Sequence, residues 1–131
     1  MKYLLDTNIC IYIINARPAP VLERFRREAI GDIGISAITA AELAYGVAKS
    51  GSRKNRLALG KFLAPLEIAA FDAMVVWLYG DIRAHLEKRG RAIGSLDTLI
   101  AAHAMALGTT LVTNNGAEFS RVDGLRIENW V

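Results

Sequence analysis

Three acids mark where chemistry could begin: Asp6, Glu42 and Asp97. Asp6 ends the apolar run Tyr3-Leu4-Leu5. Glu42 falls in the second turn of a helix that follows a second apolar run. Asp97 falls in the first turn of a helix that opens after Gly94. In a parallel α/β sheet, strand C-termini and the starts of the following helices share one edge, so the three carboxylates could converge there. Two carboxylates about 4 Å apart repel by ~4 kcal/mol at an effective dielectric of ~20. A cluster of this kind needs shared protons, basic partners or a cation. Oxygen ligands without Cys or His favour Mg²⁺ or Mn²⁺. Each acid also has a plainer reading. Asp6 suits the positive end of the next helix, Thr39-Ala40-Ala41-Glu42 matches a capping box, and Asp97 is two residues past Ser95, a helix-capping residue.

A further polar group follows the run Leu111-Val112. Thr113, Asn115 and Glu118 are expected to face the same crevice, where they could hydrogen-bond a water or a phosphate oxygen. The alternative is a strand-to-helix turn made of turn-forming residues. The two histidines, His85 and His103, are expected to be structural. Placed on helices, neither aligns with the acids to give the acid–base pair of a metal-free ribonuclease.

These residues need strands that stop at one edge and helices that start there. Strands are predicted at residues 3–5, 33–35, 66–69, 109–113 and 125–127. Helices are predicted at 8–15 (capped by Thr7 or Asn8), 20–29, 37–50 (capped by Ser36 and ended by Gly51) and 52–63. Others follow at 73–89, with Asp72 as cap and Phe71 stapled on Val76, and at 96–107, with Ser95 as cap and Gly108 as stop. A short helical turn covers 117–120. Short apolar strands alternating with helices indicate a parallel sheet covered on both faces. The apolar residues of the first helices (Ile9, Tyr12, Ile13, Val21, Leu22, Phe25) are either core or the wall of a groove for a partner helix.

The chain has 131 residues, which suits one domain spanning 1–131. It is 53% hydrophobic and 22% charged, ordinary for a compact protein with a real core. No apolar run reaches the ~18–20 residues of a membrane span, and Asp6 interrupts what would be a signal-peptide core. The single cysteine, Cys10, allows no internal disulfide and fits a reducing cytoplasm. The net charge is only +3, but the cations are grouped: Arg24, Arg26 and Arg27; Arg53, Lys54 and Arg56; Lys88, Arg89 and Arg91. Such groups are either solvated helix faces or a phosphate-binding rim.

Taken together, these motifs resemble those of PIN-domain ribonucleases, and specifically the VapC toxins of toxin–antitoxin pairs. The resemblance rests on Leu5-Asp6-Thr7-Asn8, on Ala41-Glu42-Leu43-Ala44-Tyr45-Gly46 and on the block from Ile93 to Ala104, which contains Gly94-Ser95-Leu96-Asp97. Leu111-Val112-Thr113-Asn114-Asn115 and Gly124-Leu125-Arg126-Ile127-Glu128-Asn129-Trp130 complete it, in order and over nearly the whole chain.

The resemblance implies an α/β PIN domain, with a Rossmann-like parallel sheet of four to five strands flanked by helices. It implies a Mg²⁺-dependent endoribonuclease with Mn²⁺ as a substitute ion. Asp6 and Asp97 become the metal ligands, with Glu42 completing the acidic site. Many PIN domains carry Asp in the fourth-strand motif where this chain has Asn115. A second tightly held ion therefore does not follow, though Glu118 could supply part of the missing charge. The resemblance further implies an RNA substrate such as transfer RNA, a VapB-type antitoxin, a homodimer, and contact with operator DNA only through the antitoxin. An RNA-processing PIN nuclease that is not a toxin, and a non-catalytic PIN-like binding module, are the competing expectations. An aspartyl-phosphate phosphatase would want an acid two residues after the first, where Asn8 stands.

Overall fold

A computed structural model describes all residues 1–131. Five parallel strands form one sheet: β1 (Tyr3–Leu5), β2 (Ile33–Ser36), β3 (Glu67–Ala69), β4 (Thr110–Val112) and β5 (Ile127–Glu128). Their spatial order is β3-β2-β1-β4-β5, with Tyr3 opposite Ile33 on one side and Thr110 on the other. The chain runs outward from β1 through β2 to β3, then returns to place β4 on the other flank of β1. The strand order therefore reverses between β1 and β4, and that is where open α/β sheets leave a crevice at the strand ends.

Seven helices cover the sheet: α1 (Thr7–Ile14), α2 (Ala19–Arg27), α3 (Ala37–Ser50), α4 (Arg53–Leu63), α5 (Ala73–Lys88), α6 (Ser95–Leu107) and α7 (Gly116–Phe119). The strand's two-residue period divides β1 between two cores. Tyr3 and Leu5 join Ile9, Ile13, Val21, Ile35, Leu43 and Leu59 on one face, while Leu4 joins Leu86, Ile100, Ala104, Leu111 and Phe119 on the other. This is the doubly covered sheet expected of near-continuous apolar strands. No helix is long and apolar enough to cross a membrane.

Several boundaries differ from the sequence reading, each for a local reason. Helix α1 starts at Thr7 because Asp6 is its cap: the carboxylate accepts from the Thr7 N–H at 2.7 Å. Helix α6 starts at Ser95, and its cap is Gly94 rather than Ser95. Helix α2 starts one residue earlier and ends two residues earlier than expected. Strand β5 begins at Ile127 because the Leu125 N–H is still turned back onto Val122, beside Gly124 at φ 82°. The Phe71–Val76 staple does not form. Val76 is exposed, and the Phe71 ring stands edge-on to His103, centroids 5.3 Å apart. Ser36 caps α3 as expected, accepting from the Ile38 N–H at 3.0 Å, so Thr39 lies inside the helix and the Thr39–Glu42 capping box is excluded.

Candidate active site

Asp6 lies at the point where the strand order reverses, and its side chain is buried. One carboxylate oxygen accepts from the Thr7 N–H at 2.7 Å, and the other accepts from Thr113 Oγ1 at 2.8 Å. Thr113 immediately follows β4, so this second bond spans the crevice. The hydroxyl of Thr113 also accepts from the Asn115 N–H at 2.9 Å, which fixes the turn into α7. Asn115 Nδ2 in turn donates to Glu118 Oε2 at 3.1 Å. On the other side, Thr7 Oγ1 donates to Glu42 Oε1 at 3.0 Å, holding the α3 acid against the start of α1.

Asp97 completes the group from the first turn of α6. Its carboxyl is pushed up to about 6, first by burial, then by the charge of Asp6, by a hydrogen bond to Glu118 and by the charges of Glu118 and Glu42. Asp6 is also raised: burial outweighs the opposing hydrogen bonds from Thr113 and Thr7. The same field reaches Cys10, whose thiol is pushed far up by burial and by Asp6, so it is an inert core residue. The four acids thus feel one another, as a cation site requires. No three of them are drawn together tightly enough to encircle an ion unaided.

Every acid and amide singled out in the sequence therefore reaches the same crevice: Asp6, Glu42, Asp97, Thr113, Asn115 and Glu118. Sequence reasoning missed the linkage. Thr7 looked like a helix start, yet its hydroxyl is what orients Glu42, a partner 35 residues away. The histidines lie elsewhere. His103 is fully buried with Nδ1 2.8 Å from Ser36 Oγ, while His85 is in the last turn of α5, half-exposed and 3.5 Å from Asp123.

Of the two readings of the first helices' apolar residues, core is the one the structure shows. Ile9, Ile13 and Val21 are core, and Tyr12, Leu22 and Phe25 pack against them. The open groove, about 230 Å³, runs instead between α1, α3 and α4. Ile11, Ile14, Leu43 and Val47 line it together with Thr7 and Glu42. The pattern of α1 held this signal in Ile11, which falls off the core-facing stripe and is exposed.

A parallel sheet with an acid at its switch point and three more acids around it defines a class of nuclease-like α/β domains. The family model for the PIN domain matches residues 3–125, and the chain belongs to that family. Within it, the chain is 47% identical to Ribonuclease VapC2 of Rickettsia felis, covering 99% of this chain and 98% of that protein. It is 44% identical to the tRNA(fMet)-specific endonuclease VapC of Shigella flexneri, again over 99% and 98% of the two. The structure of DNA-bound VapBC from Salmonella typhimurium matches with a TM-score of 0.94 at 39% identity, covering 100% of this chain and 99% of that one. Identity at this level over full length groups the chain with the VapC ribonucleases.

Proposed function

We propose that this protein is a divalent-cation-dependent endoribonuclease acting in the cytoplasm as the toxin of a toxin–antitoxin pair. Asp6 and Asp97 would hold Mg²⁺, or Mn²⁺ in its place. The observation that carries this reading is the pairing of a buried, hydrogen-bonded Asp6 with an Asp97 carboxyl raised to about 6 by its acidic neighbours. When bound, the cation supplies positive charge for a phosphate oxygen and lowers the pKa of a coordinated water.

The chain's own groups supply the rest. Thr7 and Thr113 lock Glu42 and Asp6 in place. Glu42, with Glu118, would orient the attacking water and take its proton. Asn115, bonded to Glu118, would add a neutral polar group beside the scissile phosphate. Hydrolysis of this kind leaves a 5′-phosphate and a 3′-hydroxyl.

The substrate class we infer is structured RNA of the transfer-RNA type, the class named for the Shigella relative. The partner is a VapB-type antitoxin, through which alone operator DNA would be contacted. An antitoxin segment in the α1–α3–α4 groove would lie against Thr7 and Glu42. A homodimer is supported by exposed Met74, Val76 and Trp77 on the first half of α5, with Trp77 81% exposed.

Incubation of wild type and Asp97→Asn with transfer RNA, with Mg²⁺ or with EDTA, tests the reading. We expect Mg²⁺-dependent cleavage by wild type, with 5′-phosphate and 3′-hydroxyl ends, and at least about a 100-fold loss in the variant. Equal cleavage by both proteins, or a 2′,3′-cyclic phosphate product, would overturn it.

A further inference from the structure

We propose that the outward face of α4, carrying Arg53, Lys54, Arg56 and Lys61, is the track on which the RNA backbone lies away from the acidic centre. This rests on the ribonuclease reading above and names the surface that binds the substrate away from the scissile bond.

Helix α4 reads Arg-Lys-Asn-Arg-Leu-Ala-Leu-Gly-Lys-Phe-Leu: four cations and no carboxylate in 11 residues. All four cations are exposed. None takes part in an ion pair, whereas each of the other two basic clusters has a committed member. Arg24 is held by Glu28 at 2.8 Å and Glu128 at 2.7 Å, and Arg89 faces Asp123 at 3.4 Å. A carboxylate-free cationic helix suits a polyanion better than it suits a mixed-charge protein surface.

Position supplies the second part. Ala58 is a wall of the groove that Thr7 and Glu42 also line, and it is also a wall of the next hollow, lined by Arg53, Lys54, Leu57 and Lys61. Lys54 and Lys61 lie four residues before and three residues after Ala58, so all three share one face of the helix. Arg53 continues into a further hollow with Arg56, at the junction with α3. The cations thus span about 12 Å of the helix, beside the groove that Thr7 and Glu42 help to line. Leu57, 62% exposed among them, offers an apolar surface to a nucleobase. The acidic centre repels phosphates on its own, so affinity must come from cations of this kind.

The experiment compares the full-length protein with Lys54→Gln/Lys61→Gln and with the fourfold Arg53→Gln/Lys54→Gln/Arg56→Gln/Lys61→Gln variant. Circular dichroism and Tm check that the fold is retained. Affinity for fluorescent transfer RNA is measured in EDTA across a salt series, and cleavage kinetics are measured with Mg²⁺. Each single-stranded phosphate contact contributes about 0.7 to the salt slope, so the fourfold variant should lose roughly 3 in that slope. Its KM should rise at least about tenfold at physiological salt, with the loss in KM rather than kcat. An unchanged slope and KM would overturn the proposal and leave α4 a solvated face. Unchanged RNA affinity with weakened antitoxin binding would overturn it in favour of a protein-binding role. Asp97→Asn, assayed in parallel, reports on the acidic centre by cleavage alone, so failure of that reading is seen separately.

Discussion

Asp6 and Ser36 occupy equivalent places in neighbouring strands and make different use of them. Each follows the apolar part of its strand, each is buried, and each caps the next helix through its side chain: Asp6 accepts from Thr7 and Ser36 from Ile38. Beyond the cap they diverge. Ser36 meets His103 Nδ1 at 2.8 Å, and burial lowers the imidazole pKa, which favours a neutral ring whose Nε2 is buried without a partner. Asp6 meets the Thr113 hydroxyl and lies within the charge field of Asp97, and burial raises its carboxyl. A neutral Ser caps as well as Asp does. Capping therefore explains Ser36 completely and Asp6 only in part. The charge that remains unexplained by folding is the signature of the site.

The largest effect should come from making Asp6 resemble its counterpart. Asp6→Ser keeps a good cap for α1 but removes the charge. We expect the fold to survive, with Tm in EDTA unchanged or higher, and RNA cleavage to fall by about 10²–10³-fold. Wild-type cleavage by this variant would mean that Asp6 is merely a cap.

The converse change should alter stability without touching chemistry. Ser36→Ala removes the α3 cap and strands His103 Nδ1 in the core. A loss of about 1–3 kcal/mol is expected in denaturant unfolding, while kcat on RNA stays at the wild-type value. A large drop in kcat at unchanged stability would erase the distinction between the two strand ends.

The same contrast explains how much the sequence could reveal. Strand ends, helix stops and the convergence of Asp6, Glu42 and Asp97 were legible because they depend on local pattern and on the geometry of parallel sheets. Gly51 and Gly108, both left-handed at helix ends, are where the apolar period predicted them. The identity of the α1 cap was not legible, since Asp6, Thr7 and Asn8 are all capable and only burial chose among them. Nor were the Thr7–Glu42 and Thr113–Asp6 bonds, which join residues 35 and 107 positions apart. Whether the first helices were core or groove stayed open because an amphipathic stripe does not say whether its cover is the chain's own sheet. In α1 the core took Ile9 and Ile13 and left Ile11 exposed.

The smallest effect is the sharpest test of whether the acids compete for charge. Asp97 has an ordinary value of 3.8 and is held at about 6 in the fold. The folded state therefore binds its proton more tightly than the unfolded chain does. By linkage, this favours folding fully below about pH 4 and is lost as pH rises through about 6. In EDTA, wild-type stability should thus decline between these values by more than that of Asp97→Asn, in which the titrating group is absent. At pH 7.5 the variant should melt about 1–3 °C higher, a modest shift because Asp97 is partly solvated. The order should reverse when Mg²⁺ is added, because a cation bound by the native carboxylates stabilises only the protein that retains them. If the two proteins keep parallel pH profiles in EDTA, Asp97 is not held among repelling charges, and the contrast with the neutral Ser36 end weakens accordingly.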